Sequence, residues 1–419
     1  MEVRVITMKS NSSVYATANG CPESRIDSAR MVKLFRKNGW KVTNDFRKAD
    51  IIFFNACGLT EDDEKNSLSI INYLKTKKNP STEFVVWGCL PKINNSRIRK
   101  IYQGITFGSD DLTRLDEMFA FEKKAENIHA NFLIPIFRSV EEDRNSKNSR
   151  IRGILVNPLK LMKKYSVAQA INAYGPGIFL IKVSTGCLSN CSYCGVKLSR
   201  GNLKSKSIDS IIKEVKEGLE KGYKEFGLIG SDVGAYGRDL GMNLVILLRE
   251  IIKTKGDFKI RLRNIQPRFL IKMMPGLREI FQTGKISYLA TAAESGNDRI
   301  LSLMNRGYTI SNFKEVIHIL NKEFPKVMLR TQLMVGFPTE SEEDFKDTCR
   351  LLDEVSFDYV EVYMFQSRPG TRAAEMKGQI NRKTKIIRYY RLLMKVMFNE
   401  RKRKKAALLE YKKRLESYS

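Results

Sequence analysis

The sequence predicts an α/β protein with an N-terminal doubly wound parallel sheet, a partial (β/α)6 barrel after it, and a basic helix at the C-terminus. Three observations support this prediction: short apolar runs alternate with helical segments through residues 1–120, six strand-and-helix repeats begin at Ile178, and residues 381–419 are basic with helical character. Apolar runs that alternate with helices indicate parallel strands covered by helices on both faces. A length of 419 residues, 42% of them hydrophobic, suits a globular chain of two to three domains.

The N-terminal domain is expected over residues 1–120, and a linker or insertion over residues 121–177. In the domain, the predicted helices are Glu23–Asn38 and Glu61–Lys75, and the predicted strands are Val3–Met8, Ile51–Ala56, Phe84–Trp87 and Ile105–Phe107. In the linker, Glu141–Arg152 is polar and Ile154–Ala173 has helical periodicity. The sequence does not separate a lid from a plain insertion there.

The barrel domain is expected over residues 178–380. Its predicted strands are Ile178–Ser184, Glu225–Gly230, Lys259–Ile265, Ser287–Ala293, Lys326–Phe337 and Tyr359–Gln366. Helices between them include Ile208–Lys221, Asn243–Thr254, Ile310–Glu323 and Glu342–Val355. Six repeats predict a curved, partly open version of the TIM barrel, whose active site lies at the C-terminal ends of the strands.

Charge and composition narrow the classes of partner and compartment. The formal net charge is +28, which favours nucleic acid as a partner; the alternative is a solvated basic surface in a lysine-rich proteome. No run of 18 uncharged apolar residues and no secretory leader is visible, so we expect no membrane span. Seven cysteines without a secretory context predict reduced thiols in the cytoplasm.

Three cysteines lie on one short loop after the first predicted barrel strand. Cys187, Cys191 and Cys194 have C-x3-C-x2-C spacing. Three thiolates can hold three irons of a [4Fe–4S] cube and leave the fourth iron open for a reactant. The alternatives are a zinc knuckle or scattered buried thiols, but zinc normally takes four ligands and the two histidines, His129 and His318, are distant in sequence.

A second set of three cysteines is spread through the N-terminal domain. Cys57 and Cys89 follow predicted strands, and Cys21 follows Gly20 in a loop after the first strand. Because parallel strands deliver their C-terminal ends to one edge of the sheet, the three thiols could converge there. The alternative is three unrelated buried cysteines, since free cysteine is often a core residue.

The motifs around both sets resemble those of the radical S-adenosylmethionine (SAM) methylthiotransferases. Four of these motifs lie in the N-terminal domain: Gly20-Cys21-Pro22, Asp27-Ser28, Asn55-Ala56-Cys57 and Gly88-Cys89-Leu90. Five more lie at strand ends of the barrel: Gly230-Ser231-Asp232, Glu294-Ser295-Gly296-Asn297, Asn305-Arg306-Gly307-Tyr308, Gly336-Phe337-Pro338 and Ser367-Arg368-Pro369-Gly370. The resemblance covers roughly residues 1–120 and 178–390. Departures are Ser24 for the family's usual Asn, Ala29 for Glu, Ala56 for Thr and Glu294 for Gln.

The resemblance implies a radical SAM barrel and two [4Fe–4S] clusters. Cys187, Cys191 and Cys194 would hold the cluster that cleaves SAM, and Cys21, Cys57 and Cys89 a second cluster that carries sulfur. Cofactor contacts are expected from Tyr193, Ser231, Asp232, Glu294, Ser295 and Arg306, and substrate contacts from Arg200 and Arg368. The fork of donors on Arg306 suits a carboxylate, the alternative being a local cap or ion pair. Cys349, the seventh cysteine, is expected to be a core thiol.

The family's reaction inserts a methylthio group at an unactivated C–H bond, with the hard chemistry carried by the cofactors. The run from Gly230 to Asp239 resembles the archaeal and eukaryotic branch, which modifies threonylcarbamoyladenosine beside the tRNA anticodon. Members of the family usually continue into an RNA-binding TRAM barrel, and we expect none here. Arg382–Ser419 is expected to be a basic helix instead, with basic clusters at Arg401–Lys405 and Lys412–Arg414.

Two rival functions stay open. One is methylthio transfer to a protein or ribosomally made peptide, and the other is a non-catalytic RNA-binding module, which six intact cluster cysteines disfavour. The expected partners are tRNA or a peptide and an electron donor such as a flavodoxin or ferredoxin, with a monomeric chain.

Overall fold

The computed structural model describes residues 12–109, 112–137, 174–175 and 177–400, and it has the α/β architecture that the sequence predicts. The chain divides into two compact units. The N-terminal unit runs to Gly175 and also includes Leu198–Arg200, and the barrel unit comprises the remaining residues from Pro176 onward.

The N-terminal unit contains a five-stranded sheet in which every pair is parallel. The strands are β1 (Ser13–Ala18), β2 (Lys41–Val42), β3 (Ile51–Ala56), β4 (Glu83–Gly88) and β5 (Ile105–Gly108), in the order β2-β1-β3-β4-β5. The strand order reverses between β1 and β3, which is where doubly wound sheets form a crevice at their carboxyl edge.

Helices cover both faces of this sheet. They are α1 (Pro22–Lys37), α2 (Glu61–Lys77), α3 (Leu90–Ile93), α4 (Asn95–Arg99) and α5 (Arg114–Met118). Alternate residues of β3 point to opposite faces, so that Phe53 packs in one apolar cluster with Leu34 of α1, and Phe54 packs in the other with Ile71 of α2. Burial on both faces explains why β3 is apolar at almost every position.

Two strands of this sheet were not predicted, namely β1 and the two-residue β2. The structure forms β1 from Ser13–Ala18, whereas the predicted strand Val3–Met8 lies outside the described residues. β1 has few large apolar residues because Ala16 and Ala18 occupy two of its positions. Its place inside the sheet depends on pairing with β2 on one side and β3 on the other. The predicted linker Glu141–Arg152 and helix Ile154–Ala173 also lie outside the described residues, while Phe121 and Ile128 pack in the N-terminal core.

The barrel unit contains all six predicted strands in one parallel sheet. In the order β13-β12-β11-β10-β9-β6, they are Tyr359–Met364, Met328–Val335, Ile286–Ala290, Lys259–Leu262, Glu225–Ile229 and Ile178–Lys182. Two short strands, β7 (Ser184–Thr185) and β8 (Lys204–Ser205), form an antiparallel pair. The partial (β/α)6 barrel is therefore confirmed.

Nine helices accompany these strands in the part of the chain that the structure describes. They are α6 (Val196–Arg200), α7 (Ile208–Glu220), α8 (Leu244–Lys253), α9 (Pro267–Gln282), α10 (Asp298–Leu303), α11 (Ile310–Glu323), α12 (Glu342–Glu354), α13 (Arg372–Glu375) and α14 (Arg382–Glu400). Among the residues described, none of these helices is long and apolar enough to span a membrane. Helix α9 was not among the helices named from the sequence, and it contains Pro275, a residue that ordinarily interrupts helices.

The two faces of the barrel sheet differ in polarity. Phe226, Ile260 and Leu289 join the largest apolar cluster, together with residues of α7, α8 and α9. The intervening positions face the barrel interior, where Arg261 and Arg330 are buried. The interior of this barrel is thus polar, unlike the side packed against helices.

Candidate functional site

The loop that carries Cys187, Cys191 and Cys194 begins directly after β7 and is fixed to the segments that follow it. The Ser192 N–H donates to the Met304 carbonyl at 3.0 Å, and its hydroxyl donates to the Leu303 carbonyl at 2.8 Å. Gly186 has a φ of 75°, and a Cβ there would lie 2.0 Å from the Asn202 carbonyl oxygen. Only glycine fits this approach to the loop.

Each thiol of the loop accepts at least one hydrogen bond. Cys191 Sγ receives Gln266 Nε2 at 3.3 Å and Arg306 Nη1 at 3.4 Å. The backbone N–H of Ser189 donates to Cys187 Sγ at 3.4 Å, and that of Val196 to Cys194 Sγ at 3.5 Å. Donors of this kind stabilise sulfur that carries negative charge, as cluster ligands do.

Without a metal, the surroundings of Cys187 and Cys194 favour the protonated thiol over the thiolate. Burial raises the pKa of Cys194 to about 12, with Cys191 adding to the rise. Burial also raises the pKa of Cys187, and the nearby Asp232 carboxylate adds to it. A coordinating metal removes a thiol proton outright, so the donors and the burial together suit a metal-bound sulfur.

Within the described residues, no three Cys, His, Asp or Glu side chains are grouped as ligands of one metal ion would be. A zinc ion draws its thiolates to about 2.3 Å from one centre. Zinc normally takes four ligands, and besides the three loop cysteines the two histidines of the chain are distant in sequence.

Gln266 is a site residue that the sequence analysis missed. Its Nε2 donates to Cys191 Sγ, its Oε1 accepts from the Ser189 hydroxyl at 2.8 Å, and its N–H donates to Asp232 Oδ1 at 3.1 Å. It thereby joins two parts of the cysteine loop to the end of the neighbouring strand β9. Its position soon after β10 was the signal available, because barrel strands end at the active-site face.

Asp232 presents a buried carboxylate oxygen. Its Oδ1 accepts the N–H groups of Gly234 and Gln266, whereas its Oδ2 is buried and has no hydrogen-bond partner among the described residues. Burial raises the pKa of Asp232 to about 6, opposed by those N–H groups and by Arg306 and Arg268. An orphaned buried acceptor suits the ammonium of SAM, the cofactor that the resemblance implies. Ser231 precedes it and is half-buried.

Arg306, Tyr193 and Glu294 form a buried group beside the cysteine loop. Arg306 Nη1 also contacts the Tyr193 hydroxyl at 3.3 Å, and Nη2 donates to the Ala292 carbonyl at 2.7 Å. Burial raises the pKa of Glu294, opposed by Arg306 and by a hydrogen bond with Tyr193. Glu294 has a φ of 65°, a left-handed conformation that is uncommon for a glutamate. Both terminal nitrogens of Arg306 therefore have partners within the protein, whereas its Nε is buried and has no hydrogen-bond partner among the described residues.

Ser295 and Arg368, two residues predicted to contact cofactor or substrate, are both buried in the protein. Ser295 is fully buried, its hydroxyl lies 3.3 Å from Thr348 Oγ1, and it accepts the Asn297 N–H at 3.2 Å. Its hydroxyl therefore supports the turn before α10. Arg368 is also buried, and its carbonyl accepts from Thr371. Its substrate role stays a prediction.

The second set of cysteines lies at the carboxyl edge of the N-terminal sheet. Cys21, Cys57 and Cys89 follow β1, β3 and β4, and the first two strands flank the point where the strand order reverses. A Cβ on Gly20 would lie 3.3 Å from Cys57 Cβ, so the first two loops touch. The structure thus brings the loops of Cys21 and Cys57 together at this edge.

A small polar network holds the Cys57 loop. The Cys57 N–H donates to Asn19 Oδ1 at 3.0 Å, and the Ser67 hydroxyl donates to the Cys57 carbonyl at 2.7 Å. Asn19 Nδ2 in turn donates to Ser67 Oγ at 2.9 Å. One serine of α2 therefore joins the loops that follow β1 and β3.

The three thiols are close enough to influence one another. Burial raises the pKa of Cys57, with Asp63, Cys89 and Cys21 adding to the rise. Burial also raises the pKa of Cys89, with Cys21 adding to the rise and Arg200 opposing it. Mutual influence of this kind is expected of thiols that share one site.

Arg200 neutralises the acidic residues of α1 beside this set. Its Nη1 lies 2.8 Å from Asp27 Oδ2 and 3.2 Å from Glu23 Oε1, and its Nη2 donates to Ser24 Oγ at 3.2 Å. Its side chain is only 2% exposed. These contacts give Arg200 a structural function in the N-terminal unit, and the contact with substrate expected from the sequence stays a prediction.

Known proteins share both parts of this arrangement. Residues 181–352 match the radical SAM superfamily, and residues 13–108 match the uncharacterized protein family UPF0004. A probable threonylcarbamoyladenosine tRNA methylthiotransferase of Pyrococcus abyssi is 30% identical over 365 residues, which is 87% of this chain and 79% of that protein. The ribosomal protein uS12 methylthiotransferase RimO of Thermodesulfovibrio yellowstonii is 30% identical over 379 residues, covering 89% of this chain and 80% of that protein.

Solved structures agree in fold. The radical SAM methyltransferase TsrM of Kitasatospora setae superimposes with a TM-score of 0.58 at 10% identity, covering 87% of this chain and 77% of that one. At this identity the likeness bears on the fold alone.

Proposed function

Since this chain belongs to the radical SAM methylthiotransferase family, we propose that its substrate is a tRNA and its target the threonylcarbamoyladenosine beside the anticodon. The observation that carries the proposal is the pair of three-cysteine sets, each placed at strand ends, in a chain that matches a relative of that name over most of its length. The net charge of +28 supports a polyanionic substrate.

In the barrel unit, Cys187, Cys191 and Cys194 would hold a [4Fe–4S] cluster. Bound there with SAM, the cluster supplies a radical able to remove hydrogen from a carbon that no general base could deprotonate. Gln266 and Arg306 donate to the Cys191 sulfur and so hold its orientation and stabilise its charge. Asp232 Oδ2 would accept from the ammonium of SAM.

In the N-terminal unit, we assign Cys21, Cys57 and Cys89 to a second cluster that carries the sulfur to be transferred. The touching loops and the mutually perturbed thiols support this assignment. Arg200 supplies positive charge near Cys89, which offsets part of the cost of burying thiolates. A small redox protein of the flavodoxin or ferredoxin class would supply electrons to a monomeric enzyme in the cytoplasm.

The proposal is tested by incubating the reconstituted enzyme and SAM with tRNA that carries threonylcarbamoyladenosine, and then analysing the nucleosides by mass spectrometry. We expect the 2-methylthio derivative from this tRNA and none from the same tRNA transcribed without modified bases. A deletion strain should lack the same nucleoside. An unchanged nucleoside profile in both experiments would reject tRNA as the substrate.

Methylthio transfer to a protein is the second candidate, and the equal identity to the uS12 methylthiotransferase favours it. It predicts that the same enzyme preparation modifies a ribosomal protein or a peptide. Mass spectrometry of small peptides and ribosomal proteins from the deletion strain separates the two candidates, because only one class of molecule should lose its methylthio group.

The basic C-terminal segment offers a separate test of RNA binding. Arg401–Lys405, which directly follows α14 in sequence, and Lys412–Arg414 lie outside the described residues. If this segment binds phosphates, changing Arg401, Arg403 and Lys405 to Gln should weaken tRNA binding and reduce the salt slope by roughly 0.7–0.9 for each phosphate that is no longer neutralised. The matched control changes Lys65, Lys75 and Lys77, exposed residues of α2, and should leave the slope unchanged. Equal slopes for both variants would remove the segment from the RNA interface.

A further inference from the structure

The barrel interior has a deep polar layer whose members pair with one another. Arg330 forms a buried ion pair with Glu361 and donates to the Tyr288 hydroxyl at 3.2 Å. Arg261 pairs with Glu225 at 2.8 Å and stacks over the Tyr288 ring at 4.7 Å. Buried charges placed in this way are fixed, so this layer is a rigid support rather than a binding surface.

A second layer lies one inward-facing position nearer to the C-terminal ends of the strands. Arg263 follows Arg261 by two residues, Gln332 follows Arg330, and Tyr363 follows Glu361. Because side chains of a strand alternate between faces, Gln332 of β12 and Tyr363 of β13 point into the barrel as the deep layer does. Arg263 directly follows the end of β10, and its charge acts on the Tyr363 hydroxyl. We call Arg263, Gln332 and Tyr363 the mouth layer.

The deep layer holds the mouth layer in place. Glu361 Oε2 accepts Gln332 Nε2 at 2.9 Å and the Tyr363 hydroxyl at 2.7 Å. Desolvation of its hydroxyl and the adjacent Glu361 raise the pKa of Tyr363, whereas Arg330 and Arg263 oppose the rise. The Arg263 guanidinium is therefore within electrostatic range of the Tyr363 hydroxyl.

The mouth layer is accessible and adjoins the candidate cofactor site. Tyr363 is 44% exposed, and Arg263 and Gln332 are half-buried. The Glu294 N–H donates to the Gln332 carbonyl at 2.9 Å, which joins the layer to the group formed by Glu294, Tyr193 and Arg306. A substrate atom bound at that group would thus lie near the mouth layer.

The chemistry of the mouth layer suits one kind of substituent. A guanidinium offers a fork of donors to a carboxylate, and an amide and a phenol can bind the polar groups next to it. An apolar substituent would desolvate the arginine and the amide without giving them new hydrogen bonds. A substrate with a carboxylate on a polar arm is therefore favoured over one with a hydrocarbon arm.

We propose that Arg263, with Gln332 and Tyr363, binds the carboxylate-bearing threonylcarbamoyl arm of the substrate adenosine and selects this nucleoside. The inference rests on the proposed tRNA function, and it adds the residues that would recognise the modified base. Arg263 acts here in binding and selection.

The test uses the full reconstituted chain and two anticodon stem-loop RNAs of one sequence. One carries N6-threonylcarbamoyladenosine, and the other carries its methyl ester, which keeps the shape and loses the charge. We expect the wild type to bind and methylthiolate the acid about 10- to 100-fold better than the ester, the range for a hydrogen bond to a charged group. Arg263→Met should abolish that preference, and Arg263→Lys should keep part of it.

The matched control is Arg249→Met, which removes an exposed arginine of α8 and should keep the full preference. A wild type that methylthiolates acid and ester equally, or an Arg263→Met variant that keeps the preference, would overturn the inference and leave the proposed function standing. Absence of methylthiolation on both RNAs would reject the proposed function. In that case, binding that does not distinguish acid from ester would overturn the inference as well.

Discussion

Each of the two cysteine sets contains three thiols, but one set lies on a single loop and the other is assembled from three separate loops. Cys187, Cys191 and Cys194 lie on one short loop, which hydrogen bonds tie to the end of α10. Cys21, Cys57 and Cys89 come from three loops far apart in sequence, and only the parallel pairing of β1, β3 and β4 brings them together. The loop set is thus defined mostly by local sequence, and the N-terminal set by tertiary structure.

This difference matters for how each set tolerates change. A loop set depends on its own spacing and on a few anchoring hydrogen bonds. A set assembled at a sheet edge depends on every strand and every buried charge that keeps the edge in register. We therefore expect the N-terminal set to be more sensitive to substitutions away from its cysteines.

The largest expected effect separates the roles of the two sets. Cys191→Ala should reduce cleavage of SAM to 5′-deoxyadenosine to background, because it removes one cluster ligand of the loop. Cys57→Ala should leave cleavage intact and stop methylthio transfer, since only sulfur insertion needs the N-terminal set. Chromatography of both products checks this, with Cys349→Ala as a control that should keep both activities. Methylthio transfer by the Cys57 variant at the normal rate would break the distinction.

Iron content tests whether each set holds one cluster. Anaerobic reconstitution of the wild type should give about eight irons, and replacing either set of three cysteines with Ala should leave about four, the content of one cube. Iron assays with Mössbauer spectroscopy measure this. A wild type that saturates at one cube would contradict two clusters per chain.

Arg200 tests the dependence of the N-terminal set on buried charge. Arg200→Met would leave Glu23 and Asp27 without their cation, and breaking a buried pair in this way costs about 3–5 kcal/mol of unfolding free energy. Urea unfolding of the metal-free chain measures the decrease. Arg249→Met breaks an exposed pair and should cost less than about 1 kcal/mol. Similar decreases for the two variants would show that the Arg200 pairs contribute little.

The smallest effect compares one serine beside each set. Ser67→Ala removes a donor to the Cys57 carbonyl and an acceptor for Asn19, and it should cost about 1–3 kcal/mol because buried polar groups are left unsatisfied. Ser192→Ala removes one hydroxyl bond to Leu303 and should cost about 1 kcal/mol. Unfolding free energies of the two variants decide the order. The reverse order would mean that the loop is the more tightly held of the two.

Local spacing and the strand-end rule were enough to single out both cysteine sets as candidates and to predict all six barrel strands. Each of these features rests on a pattern within a few residues of sequence, such as an apolar run followed by a cysteine. The N-terminal set could be predicted as well because parallel strands end at one edge whatever their separation in sequence.

Features that depend on tertiary contacts were not predicted. Gln266 joins Cys191, Ser189 and Asp232 through three hydrogen bonds, none of which is visible in a lone glutamine before a proline. β1 contains two alanines, and its central position comes from its neighbours on both sides. Arg200 follows the cysteine loop in sequence, which suggested substrate contact, but its buried partners are on α1.

Leu198–Arg200 belong to the N-terminal unit although they lie within the barrel part of the sequence, so the two units cannot be separated by a single cut in the chain. Three residues that follow the cysteine loop in sequence belong to the N-terminal unit. Neither unit therefore consists of one uninterrupted segment of the chain. A fragment ending at Gly175 would lack the guanidinium that neutralises Glu23 and Asp27, and its carboxylates would have to be solvated or protonated. A recombinant that exchanges the first half alone would therefore keep these ion pairs only if its second half supplies a matching arginine.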